Sequence, residues 1–67
     1  MKKIETAYGY DIFELTKEEC KERWYEFPCF AVFCEGETYE TVGLDESTFG
    51  TLEEAKDWCK EYDRTYY

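Results

Sequence analysis

The sequence has no histidine. Its absence removes the commonest general base and a principal zinc ligand together. There is one serine, Ser47, with no base near it in the chain, so serine nucleophile chemistry has no visible partner. No apolar run reaches membrane length. Lys2 and Lys3 open like a signal peptide, yet no hydrophobic segment follows Ile4. The expectation is a cytoplasmic protein with no membrane partner. From Trp24 to Ala55 there is not one Lys or Arg.

What is present bounds the rest. At 67 residues there is room for one domain, 1–67. A chain of this size buries about 60% of the surface its unfolded form exposes, so the core is thin. Hollowing it to enclose a substrate would remove the only core available. Aromatic residues make up 21% of the chain, with seven Tyr, five Phe and two Trp. Seven tyrosines exceed what such a core satisfies, so some lie at the surface, where Tyr is a favoured contact residue.

Eight Lys and Arg stand against 17 Asp and Glu, a formal charge of −9. Charge of this sign disfavours nucleic acid and anionic lipid and favours a basic protein surface or a cation. A hydrophobic fraction of 43% argues against disorder.

Four cysteines first suggest a disulfide framework or a zinc site. Their spacing supports neither. Cys29 and Cys34 are five apart with no Cys-x-x-Cys pair. On one strand they point to opposite faces. Cys20 and Cys59 fall on the apolar stripes of two predicted helices, where cysteine acts as a small hydrophobe. Reduced structural thiols are expected, with no metal and no cofactor.

Along the chain, residues 8–15 predict a first strand, with Tyr8, Tyr10 and Ile12 on one face and Phe13 and Leu15 on the other. Thr16 and Glu19 have capping-box spacing, and Leu15 and Cys20 are placed as a staple. A short helix from Lys17 to about Trp24 is expected to turn Cys20 and Trp24 inward and to stop before Pro28. Residues 27–34 (FPCFAVFC) are apolar on both faces, which predicts a central strand. Glu35-Gly36 predicts a tight turn. A return strand over about 37–44 would set Tyr39 against Val32 and Glu40 against Ala31, with a loop over 45–50. Thr51 and Glu54 repeat the capping box. Leu52, Ala55, Cys59, Tyr62 and Tyr66 form a helical stripe toward the core, flanked by Trp58. The expected fold is α+β, a β-α-β-β-α domain with a three-stranded sheet and two helices packed on it.

The stretch from Trp24 to Ala55 carries Glu26, Glu35, Glu37, Glu40, Asp45, Glu46, Glu53 and Glu54. Carboxylates a few residues apart add, because screening sets in beyond about 8 Å at physiological salt. This block serves solubility, or it is a contact surface in which carboxylates take the places of phosphates. Calcium is a third use, but the spaced pattern of a calcium-binding loop is missing around Asp45 and Glu46. Paired carboxylates also serve glycoside chemistry, which needs a cleft this chain lacks the bulk to form. Acidic surroundings make Cys29 and Cys34 poor nucleophiles. No active site is expected.

A very short, acidic, Tyr- and Glu-rich α+β chain without enzyme motifs resembles the small anti-defence proteins of bacteriophages and mobile elements, including anti-CRISPR proteins. The resemblance spans the whole chain in size, charge and composition. That class has no common motif, so no residue carries over. It implies a non-enzymatic inhibitor presenting carboxylates to the basic nucleic-acid groove of a host nuclease or surveillance complex. The contact is expected at Glu35, Glu37, Tyr39, Glu40, Asp45 and Glu46, with Tyr39 as aromatic anchor. The alternative is an accessory interaction domain, binding through aromatic surface and possibly self-associating.

Overall fold

The computed structural model describes residues 1–37 and 47–65. Strands β1 (Lys2–Ala7), β2 (Tyr10–Glu14), β3 (Phe30–Cys34) and β4 (Ser47–Phe49) form one antiparallel sheet in the order β1-β2-β3-β4. Helix α1 (Lys17–Arg23) joins β2 to β3, and α2 (Leu52–Glu61) follows β4. Among the described residues the α+β class and the two helices agree with expectation, and the sheet has four strands rather than three.

The additional strand is β1, in a segment where the sequence pattern predicts no element. Tyr8 and Gly9 take φ of 56° and 84° between the paired residues Ala7 and Tyr10. Two successive positive φ values make the two-residue turn whose twist matches that of the strands it joins. The expected strand over 8–15 therefore begins two residues later, with Tyr8 in the turn. A register irregularity between Lys3 and Glu5 lets Ile4 pack on one core while Glu5 stands opposite Ile12. Such a bulge turns consecutive residues toward the same side.

Alternation along β2 and β3 divides the interior into two cores. Tyr10, Ile12, Phe30 and Val32 face Ala55 and Cys59 of α2. Leu15, Cys29, Ala31 and Phe33 face Cys20 of α1. The sheet thus lies between the two helices. β3 is interior, as its two apolar faces require, but it starts at Phe30; Phe27 is 50% exposed and the Phe27–Pro28 peptide is cis. All four cysteines are free thiols, with Cys29 and Cys34 on opposite faces.

The register at the far edge corrects the expected hairpin. Phe30, Ala31 and Val32 pair with Phe49, Thr48 and Ser47. Strand β4 thus occupies part of what was expected to be loop, and it fills the places opposite Ala31 and Val32 that had been assigned to Glu40 and Tyr39. Thr48 and Phe49 suit a strand by their branched and aromatic side chains. The acidic residues just before them masked that signal.

Both helices start on the expected threonine cap. The Thr16 Oγ1 accepts from the Glu19 N–H at 3.1 Å, and the Glu19 carboxylate accepts from the Thr16 N–H at 2.9 Å. The Thr51 Oγ1 accepts from the Glu54 N–H at 3.1 Å, which is half of that box. Their ends differ from expectation. Trp24 is 94% exposed, and Tyr62, expected in the core, is 54% exposed.

Candidate functional site

Two exposed features lie in the stretch that lacks basic residues: the turn after β3 and a groove beside the α1 terminus.

The turn is braced from below. The Glu37 N–H donates to the Cys34 carbonyl at 2.9 Å, with Gly36 at φ 86° supplying the left-handed position. The Glu35 N–H donates to the Gly9 carbonyl at 3.0 Å, which ties this turn to the β1–β2 turn. Asp11, only 3% exposed, accepts from the Gly36 N–H at 3.0 Å and from the Thr6 hydroxyl at 2.6 Å. Burial pushes the Asp11 carboxyl up, but these two hydrogen bonds and the Lys3 charge outweigh it and hold its pKa below the ordinary value. Glu35 and Glu37 project from this brace into solvent. Among the described residues neither meets a cation. They are the two of the six expected contact residues whose positions are described; Tyr39, Glu40, Asp45 and Glu46 lie outside the described residues.

The groove arises from the way α1 stops. The Tyr25 N–H reaches back to the Cys20 carbonyl at 2.9 Å and the Trp24 N–H to that of Lys21 at 3.4 Å. Trp24 between them is left-handed, with φ 61° and ψ 31°. This is the Schellman ending, in which the left-handed position is ordinarily glycine. Reversal of the chain there takes Trp24 off the helical stripe and brings Tyr25 onto the α1-side core in its place. The expectation that Cys20 and Trp24 turn inward together holds for Cys20 alone. Beyond the reversal, Trp24, Glu26, Phe27 and Pro28 stand across from Thr48, Phe49 and Gly50 and enclose an open groove of about 420 Å³. Lys17 lies over the outer Phe27 ring, 5.6 Å from its centroid.

Sequence reasoning missed this groove because the four-residue step from Cys20 to Trp24 mimics a continuing helical face. Pro28 was the available signal. A helix that must end before proline has to reverse within those few residues, so the last periodic position is the least secure.

Elsewhere the chemistry is subdued. Burial, helped by the Glu5 carboxylate, pushes the Cys59 thiol up to about 11, which suppresses its thiolate. Lys56 meets Glu5 at 3.1 Å. Among the described residues no cluster of His, Cys, Asp or Glu is arranged to hold a metal ion, and no helix is long and apolar enough to cross a membrane. What the two exposed features offer is acceptance: carboxylates for cations, and aromatic faces for apolar or cationic groups. Compared with protein-family models, with curated proteins and with solved structures, the chain matches none.

Proposed function

We propose that this is a non-enzymatic binding protein that inhibits a nucleic-acid-binding partner by occupying its basic surface, as a CRISPR nuclease or surveillance complex would present. The observation that carries the proposal is the turn at Glu35 and Glu37. Both carboxylates are exposed on a turn braced by Asp11, inside a stretch of sequence with no Lys or Arg. A braced turn presents charge without the ordering cost that a loose loop incurs on binding. Complementary charge of this kind speeds encounter and selects the partner more than it adds affinity.

A second role, interaction through aromatic surface including self-association, is favoured by the exposure of Trp24. Salt separates the two, because screening weakens charge-driven binding and leaves apolar association in place.

The test is retention of proteins from a bacterial lysate on the immobilised chain, with elution by salt from about 50 to about 500 mM. Basic nucleic-acid-binding proteins should be retained at low salt, be displaced by added double-stranded DNA, and be lost when Glu35 and Glu37 are both changed to Lys. Changing Glu61 and Asp63 to Lys, on and beside the mixed-sign α2, should matter much less. Equal losses in both double variants would mean that net charge alone acts. Retention of no basic protein would overturn the proposal.

A further inference from the structure

Trp24 breaks two ordinary rules at once. A non-glycine residue held left-handed carries a conformational cost, and Trp24 sits at φ 61°. A large aromatic ring normally repays its place by burial, yet this one is 94% exposed and makes no ring contact among the described residues. The other tryptophan shows the ordinary behaviour, since Trp58 lies against Tyr10, Phe49 and Tyr62 at 5.2, 6.0 and 4.9 Å. A local rule broken without a packing gain points to a use outside the fold.

The surroundings of Trp24 specify that use. Glu26, Phe27, Pro28 and Phe49 share its groove, whose lining holds no Lys or Arg, while the nearby Lys17 lies over the Phe27 ring, 5.6 Å from its centroid. The groove therefore offers one carboxylate among aromatic faces. An arginine side chain satisfies both: its guanidinium pairs with a carboxylate and stacks on an indole, while its stem covers apolar surface. A second copy of this chain is the poorer occupant, because each copy carries a net charge of −9 and the two would repel.

We propose that the groove receives an extended, arginine-bearing segment of the basic partner, with Trp24 as the aromatic anchor and Glu26 as the paired carboxylate. This rests on the partner being basic, as argued above, and places the anchor at the α1 terminus instead of at Tyr39. Trp and Arg are the residue types most often responsible for the bulk of interface energy.

The experiment uses a labelled short peptide alternating arginine and leucine, a control peptide with glutamate for arginine, and fluorescence anisotropy at low salt. Trp24→Gly is the informative variant, since glycine suits the left-handed position and should leave thermal unfolding unchanged or raised. The parent should bind the arginine peptide and not the control. Trp24→Gly should weaken binding at least about tenfold, and Glu26→Gln by a smaller factor. Unchanged binding by Trp24→Gly overturns the proposal, as does equal binding of the two peptides or no binding by the parent. Concentration-dependent dimerisation of the parent that Trp24→Gly abolishes would identify a second copy as the occupant and also overturn it. The lysate experiment separates this failure from the broader one. Basic proteins retained by Trp24→Gly but not by the Glu35 and Glu37 reversal would leave the inhibitor role standing and the groove without a part in it. Retention of none by the parent would remove the inhibitor role itself.

Discussion

The two helices begin alike and end in opposite ways. Each starts on a threonine whose hydroxyl caps the third turn residue. At the end of α2 the chain is fastened to the sheet. The Tyr10 hydroxyl donates to the Tyr62 carbonyl at 2.7 Å, and the Arg64 N–H donates to the Tyr8 carbonyl at 2.9 Å. The Tyr62 ring lies against Trp58, and the Arg64 guanidinium sits 5.9 Å from the Tyr10 ring centroid. At the end of α1 the aromatic residue is turned out to solvent. One terminus is fastened to the sheet; the other brings Tyr25 onto a core but leaves Trp24 as an aromatic surface next to a carboxylate. In so small a protein, surface aromatics that are not fastened are the ones free for a partner.

The largest expected contrast is between the two tryptophans. Trp58→Ala removes the centre of a four-ring cluster and should cost about 3 kcal/mol. Trp24→Ala should change stability by no more than about 0.5 kcal/mol, as an exposed substitution does. Urea unfolding of both variants decides it. Comparable losses would mean that Trp24 contributes to packing after all.

Next is the Asp11 brace, which joins β1, β2 and the turn after β3. Asp11→Ala should cost about 1–3 kcal/mol, because it removes the hydrogen bonds that the charged carboxylate accepts from the Gly36 N–H and the Thr6 hydroxyl. Since the folded carboxyl titrates below its unfolded value near 3.8, its contribution is complete above that value and is lost as pH falls through the folded one. Parent stability should therefore fall more steeply below about pH 4 than that of Asp11→Asn. Parallel acid profiles would show that the brace carries no charge-dependent stability.

The smallest contrast concerns the caps. Thr51→Ala should cost about 1 kcal/mol. Thr16→Ala should cost about as much, since it removes the same hydroxyl acceptor and keeps the backbone N–H from which Glu19 accepts. Chemical denaturation resolves the pair. A Thr16 loss well below that of Thr51 would show that the retained Glu19 bond holds the start of α1 without the hydroxyl.

Much of the scaffold was legible because its signals are local and periodic. The Thr16–Glu19 box, the staple of Leu15 and Cys20, the two apolar faces of residues 30–34 and the buried Ala55 and Cys59 follow from side-chain spacing. Of the candidate site, Glu35 and Glu37 were legible as exposed positions around a glycine turn. The groove was not. Trp24 reads as a helical core position until the chain reverses, and Phe49 reaches the groove only because β4 pairs with β3 in a register that no nearby residue announces.

Sequence alone determined the class, the charge, the threonine caps and the inward positions of Cys20, Ala55 and Cys59. Each depends on residues within one helical turn or one pleat of each other. Tertiary structure decided that the basic N-terminal segment is a strand and that residues 47–49 close the sheet. It also decided that Asp11 is buried as a brace while one tryptophan of two is left outside. These depend on pairings across the chain, where the gain of a hydrogen-bonded edge or a filled core face outweighs what each segment prefers by itself.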